Sequence, residues 1–260
     1  MITLKSKESC LICGAEVSNL PGAERVSCAY CGKSGEHTAA CPEGHFVCEG
    51  CRKSDAMKII ETVSFATTSR DPIAIAELLI SHPALPLLGC EHAFIAAGAL
   101  MAGLKNSPYG AGKITDADIR EAFDRTARQT GDGSCALTGV CGIVPAVGAC
   151  FSLFLGCRRG SDREQKITME AVTAVARAIA DLTGPSCCKA YVRTALSTAV
   201  NIFADRFGIT LPLSKAPIIC RHGSLYVQGC REDRCPYYKR EATKDIFAEY
   251  TQLPVSACPS

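Results

Sequence analysis

Apolar residues recur at helical spacing from about Asp55 onward, whereas residues 1–53 show no long apolar period. Ser69-Arg70-Asp71-Pro72 predicts a helix start, with Asp71 as N-cap and Pro72 at the first position, running to Ser81 before Pro83 and Pro86. A second helix, rich in Ala and Leu, is expected over Glu91–Leu104. A third opens at Thr115, where Asp116 and Asp118 complement the helix dipole, and continues to about Thr130. Gly131–Gly133 then reads as a turn.

The run from Gly133 to Cys157 is free of charge and about long enough to cross a bilayer. Gly139, Gly142, Pro145, Gly148 and Gly156 interrupt it and no aromatic belt frames it, so a buried helix over about Ile143–Leu155 is expected and no membrane association. Thr168 is read as the cap of the next helix, in which Val172, Val175, Ala176 and Ile179 recur up to Leu182 before Gly184-Pro185. A long helix follows from Cys188 to Phe207, stopped by Gly208. The chain after Leu211 is irregular, with a short hairpin near Leu225–Val227 and a helix over Lys244–Tyr250. There is no βα alternation and no Gly-rich phosphate loop.

Charge adds little: a net +2, no Trp and a mixture of Lys, Arg and Glu over residues 1–53 give no basic stripe for nucleic acid. Cysteine changes the picture, with 18 in 260 residues. No apolar segment precedes Cys10 in MITLKSKESCLICG, so the expected compartment is the reducing cytoplasm. There, paired cysteines read as metal sites and not as disulfides.

Cys10/Cys13, Cys28/Cys31, Cys41/His45 and Cys48/Cys51 form four pairs, three of them CxxC, the spacing that turns two thiolates onto one ion. Zinc takes four such ligands, so eight imply two structural zinc ions. Two pairings fit the spacing. Sequential sites would use Cys10, Cys13, Cys28 and Cys31, then Cys41, His45, Cys48 and Cys51. Interleaved sites would join Cys10/Cys13 to Cys41/His45 and Cys28/Cys31 to Cys48/Cys51, the ligand order of RING-type modules. His37 is an alternative to His45. The expected architecture is mainly α: a small treble or interleaved zinc module at 1–53, then an all-α domain at 54–260 with an irregular Cys-rich tail.

The second part of the chain carries its own cysteines. Cys150 and Cys157 suit core packing along the apolar helix, and Cys258 is an incidental tail residue. Cys135 and Cys141 bracket a Gly-containing turn ahead of the apolar helix, and Cys187-Cys188 open a helix beside Lys189, positions where backbone N–H groups favour a thiolate. Cys220, Cys230 and Cys235, the last followed by Pro236, complete the set. Cys187 or Cys188 with Cys220, Cys230 and Cys235 could hold a 4Fe–4S cluster, a third zinc or free structural thiols; the block Cys188, Cys220, Cys230, Cys235 is the cofactor-binding candidate. Glu91 and His92, which follow Cys90, join Cys135 and Cys141 as candidate catalytic residues, able to orient or move a proton.

The order of these motifs resembles a family of cysteine-rich domains of unknown function from anaerobic bacteria and archaea, whose members occur alone or fused to SAM-dependent methyltransferase or radical-SAM modules. The matching segments are Cys41-Pro-Glu-Gly-His-Phe-Val-Cys-Glu-Gly-Cys51, Cys90-Glu-His92, Cys135…Gly139-Val-Cys-Gly142, Gly184-Pro-Ser-Cys-Cys-Lys189 and Cys220…Cys230…Cys235-Pro-Tyr. Ala93 departs from it, standing where the family tends to show a second histidine. The resemblance implies a metal-dependent role in anaerobic metabolism. The function expected is an iron–sulfur or thiol-dependent enzyme or maturation factor in sulfur or one-carbon transfer. The competing class is a non-enzymatic adaptor that docks a methyltransferase or radical-SAM enzyme.

Overall fold

Asp71 organises the entry to the helical part. Its Oδ1 accepts from the backbone of Ile73 (2.8 Å) and Ala74 (3.1 Å), and its Oδ2 takes the N–H of Ser214 at 2.7 Å, tying a distant stretch to this helix start. In a computed structural model that describes residues 10–13, 15–131, 134–182, 184–214, 218 and 220–238, this cap opens α3.

The helices in chain order are α1 (Glu49–Arg52), α2 (Ala56–Ala66), α3 (Pro72–Ile80), α4 (Glu91–Asn106), α5 (Asp116–Ala127), α6 (Ser134–Thr138), α7 (Ile143–Phe154), α8 (Arg163–Ala180) and α9 (Cys188–Phe207). Among the described residues the strands form one antiparallel pair, β1 (Ser18–Ser27) with β2 (Ser34–Ala40). The chain is therefore mainly α, with a small Cys-rich module ahead of the helices, as the sequence predicts.

Helix α4 is the centre. It packs against α2, α3, α5, α7 and α9, and almost every residue from His92 to Leu104 is buried. A helix apolar all round belongs inside a protein, and its small residues let the neighbours approach closely. A Cβ on Gly98 would run into Ser64 Oγ. On the far side of α7, Phe151 stacks on Phe203 of α9 with ring centroids 4.5 Å apart. Cys150 is fully buried, its thiol donating to the carbonyls of Ala146 (3.3 Å) and Ala97 (3.6 Å). It is a core residue, while Cys157 lies beyond the end of α7 and is half-buried.

Where caps carry the signal, the ends fall where the sequence puts them. Thr115 and Asp118 form a reciprocal capping box at α5, and Gly208 closes α9 in the left-handed region, φ 65°. Helix α8 differs. It starts at Arg163, and Thr168 lies inside it with its hydroxyl bonded back to Glu164 O. The first turn is polar, so the apolar period begins after the helix does. The hairpin expected near Leu225–Val227 is instead a 3-10 turn over Gly223–Leu225, with a second turn at Glu232–Arg234. Val227 is wholly exposed and Leu225 mostly so, which leaves no apolar face for a strand pair. No helix among the described residues is long and apolar enough to cross a membrane. The expected helix over 244–250 and Cys258 lie outside the described residues.

The Cys-rich module rests on α3 and its exit. Tyr30 is buried, its ring meets His82 edge-on at 5.0 Å, and its hydroxyl is 3.4 Å from Ser81 Oγ. His82 Nε2 lies 3.0 Å from Cys51 O. Arg221 reaches in from the C-terminal tail to donate to Cys13 O.

Candidate metal centres

The hairpin of β1 and β2 decides the pairing that spacing leaves open. Ser27 pairs with Ser34 at its tip, so the knuckle Cys28–Cys31 caps that end. Ser18 pairs with Ala40 at the other end, which carries Cys41 back beside Cys10 and Cys13. A bridge between Cys28 and Phe46 then brings Cys48 and Cys51 to the tip. The result is two groups: Cys10, Cys13, Cys41 and His45, and Cys28, Cys31, Cys48 and Cys51. The sites interleave.

Their geometry is that of single-ion centres. Four ligands at zinc's usual bond length stand about 3.8 Å apart around a tetrahedron. Here Cys13 Sγ and Cys41 Sγ are 3.3 Å apart, Cys31 and Cys48 3.7 Å, and His45 Nδ1 lies 3.7 Å from Cys41 and 3.8 Å from Cys10. Backbone N–H groups of Ile12 and Cys48 point at the sulfurs of Cys10 and Cys28, each at 3.4 Å. His37 is not part of either group: it lies on β2 with its ring 4.0 Å from that of Phe46.

The thiols show why a cation fits. Hydrogen bonding from Cys51, against the cost of burial, pulls Cys28 down to about 4, while Cys51 itself is pushed up by that same bond. In the other group burial raises Cys10, yet bonds from His45 and the backbone outweigh it and bring the thiol to about 6; burial pushes Cys13 up to about 12. One thiolate forms in each group and suppresses the next, so four can ionise together only around a positive ion. The donor sets suit a thiophilic divalent metal such as zinc.

The helical part divides its cysteines at the start of α9. Cys187, not Cys188, lines a pocket with Cys220, Cys230 and Cys235. Its thiol donates to Tyr226 Oη (3.4 Å), which donates onward to Leu87 O (3.2 Å). The two 3-10 turns fold the tail round this pocket, and Cys230 Sγ accepts from Glu232 N at 3.4 Å. Arg193 and Arg231 also line it. Arg193 bonds Cys220 and is held by Glu77 through two bonds of 2.6 and 2.8 Å. Arg231 is buried; Nη2 donates to Tyr191 Oη at 3.1 Å, but Nε and Nη1 find no partner among the described residues.

Cys188 does not line that pocket. Its sulfur takes a bond from the backbone of Gly89 and its neighbours include Cys135. Cys141 takes a bond from Ile143 and is pushed up to about 11, first by burial and then by Cys188, Cys135 and Cys90. Cys135 is exposed on α6, a short helix where the sequence shows only a turn. The structure thus gathers Cys141, Cys135 and Cys188 and leaves Cys188 apart from Cys220, Cys230 and Cys235. Glu91 is half-buried in the first turn of α4. His92 is fully buried, with Nδ1 3.2 Å from Gly89 O and Nε2 3.4 Å from Lys189 Nζ. Burial, then the Lys189 cation, pushes it down to about 3, so the imidazole stays neutral and Nε2 faces the ammonium.

Sequence reading noted Lys189 only as a neighbour of Cys187-Cys188 and passed over Arg193 and Arg231. Lys189 is 1 % exposed and its Nζ donates to Pro86 O at 3.2 Å; burial pulls its pKa down, against which Cys187, Cys188 and Cys220 favour the charge. The available signal was two cations four residues apart on an otherwise apolar face of α9. Among the described residues, no third set of His, Cys, Asp or Glu gathers at single-ion spacing.

Residues 60–238 match a family model described as a family of unknown function (DUF5714). No curated protein and no solved structure matches the chain. The matched span starts inside α2, so it takes in every cysteine of the helical part described above and none of the interleaved ligands.

Proposed function

We propose, for a chain that belongs to this DUF5714 family of unknown function, that the helical part is an iron–sulfur enzyme or maturation factor and the interleaved module its zinc-stapled support. Cys187, Cys220, Cys230 and Cys235 hold a 4Fe–4S cluster in the pocket they line. The observation that carries this reading is the pairing of four thiols with Arg193 and with a buried Arg231 whose Nε and Nη1 lack partners. A buried guanidinium needs negative charge beside it, and a thiolate-bound cluster is an anion. The cluster body is larger than one ion, which suits thiols that share a pocket without converging at zinc spacing.

When bound, such a cluster supplies an electron or a Lewis-acidic iron. Lys189 sets its Nζ beside Cys187, Cys188 and Cys220, where bound thiolates would hold its positive charge against the cost of burial, and His92 presents a neutral nitrogen to it. Sulfur or one-carbon transfer in anaerobic, cytoplasmic metabolism suits thiols arranged in this way. The test is anaerobic purification with zinc, iron and acid-labile sulfide analysis. The pair Cys220→Ser and Cys235→Ser is expected to remove about four iron per chain while both zinc ions remain. Iron content unchanged by that pair, or zinc without iron in the parent protein, overturns the reading.

A second reading, an adaptor docking a methyltransferase or radical-SAM enzyme, draws support from Leu137 and Val140, 86 % and 55 % exposed beside Cys135 and Cys141. An adaptor keeps its partner's binding when the Cys220/Cys235 pair is replaced; an enzyme loses turnover.

A further inference from the structure

Three long helices begin at one place. Gly89, one residue before the Cys90 that caps α4, bonds the sulfur of Cys188, the first residue of α9. Cys90 Sγ reaches Gly131 O at 3.2 Å, beyond the end of α5. Gly142, at the N-cap of α7, sits so close to Thr130 that a Cβ there would stand 2.6 Å from its methyl and 3.6 Å from Ala93 of α4. These contacts bring Cys90, Cys141 and Cys188 together from segments far apart in sequence, with Cys135 supplied by α6.

We propose that Cys90, Cys135, Cys141 and Cys188 form a second four-thiolate centre, separate from the pocket, that binds a second iron–sulfur cluster. It does not require the pocket to be loaded. After burial, Cys188, Cys135 and Cys90 push the Cys141 thiol up, and Cys187 and then Cys135 do the same to Cys188. The surroundings suit an anion. The starts of α4, α7 and α9 direct their dipoles here. Lys189, next in sequence to Cys188, buries its amine against the Pro86 carbonyl and a neutral imidazole; burial pulls its pKa down, and the thiols of Cys187, Cys188 and Cys220 act in the opposite sense. A buried cation so placed calls for negative charge, which metal-bound thiolates provide once binding has displaced their protons. The four sulfurs do not converge at single-ion spacing, which argues against one zinc as their ligand.

The position also assigns a use. Cys135 is exposed and the other three are half-buried, so this centre meets the surface through Cys135, whereas all four pocket cysteines are half-buried. Cys187 and Cys188 are consecutive residues with their Cα atoms about 3.8 Å apart, one in each thiol group. An electron entering at the Cys135 end would cross to the pocket along the start of α9.

The full chain, purified without oxygen, is expected to carry about eight iron and matching sulfide besides two zinc, with two reduced-state resonances in electron paramagnetic spectra. Replacing Cys90 and Cys135 with Ser should halve the iron, keep the zinc and leave one resonance. Cys135→Ser alone, at an exposed position, guards against misfolding and should remove or alter that same resonance. Iron and spectra unchanged in both variants overturn the proposal, as does a third zinc in place of the second cluster. The pocket is read separately: iron lost on replacing Cys90 and Cys135, but not on replacing Cys220 and Cys235, retains this centre and sinks the pocket reading.

Discussion

Arg193 of α9 grips Glu77 of α3 through two bonds of 2.6 and 2.8 Å, with 2 % and 5 % of the side chains exposed. Every residue of α3 is buried, and Glu77 is the one carboxylate in its interior. Glu77→Gln leaves the guanidinium without its counter-charge and should cost about 3–5 kcal/mol in denaturant unfolding. A loss below about 1 kcal/mol would show that Arg193 draws its compensation from the Cys220 side instead.

Tyr30 should be the main fixing point of the Cys-rich module. Tyr30→Ala removes a fully buried ring from His82 and is expected to cost about 3–5 kcal/mol. Tyr30→Phe gives up only a 3.4 Å contact with Ser81 and should stay within about 1 kcal/mol of the parent. Equal effects would mean the hydroxyl and not the ring secures the module.

Metal removal should act unevenly. Chelation is expected to release both module ions and collapse residues 10–53, since the hairpin there has too little apolar core to stand alone, while far-UV circular dichroism from α3 to α9 persists. Cys28→Ser should cost one zinc and spare the group built on His45. Loss of both from that single change would contradict two separate centres.

Capping makes a finer test. Asp71→Ala gives up bonds to Ile73, Ala74 and Ser214 and should destabilise by about 1–2 kcal/mol, with Asp71→Asn, which keeps an acceptor, losing less. Matching losses would point to charge and not hydrogen bonding as the source.

Charge next to the thiols can be read electrochemically. Lys189→Met removes a positive charge from between the two groups and should lower the reduction potential of bound clusters, because the reduced state carries more negative charge. A potential unmoved in a redox titration would place the clusters elsewhere.

Sequence showed much of this fold where a local rule was decisive. Asp71-Pro72, the Thr115–Asp118 box and Gly208 marked helix ends because each satisfies or terminates backbone bonding on its own. Thr168 misled because a threonine hydroxyl bonds as readily to a carbonyl one turn back as to a helix start, and Asp162 makes no side-chain cap to announce the true beginning. The eight module ligands were legible from spacing, but their pairing was not, since it depends on which ends of a hairpin meet. The division of Cys187 from Cys188 was equally hidden. Cys187 is an extended N-cap and Cys188 the first helical residue, so neighbours in sequence part company, and only the tail and the α4 start reveal what each one meets.

Arg221 follows Cys220 directly, and its hand on the Cys13 carbonyl fastens the pocket's rim to the far module. The tail is thus fastened twice, by Ser214 on Asp71 and by Arg221 on the knuckle. Stripping metal from the module would therefore be felt at a distance: with the knuckle undone, the strap bearing Cys220, Cys230 and Cys235 slackens, and the pocket loses its grip along with it.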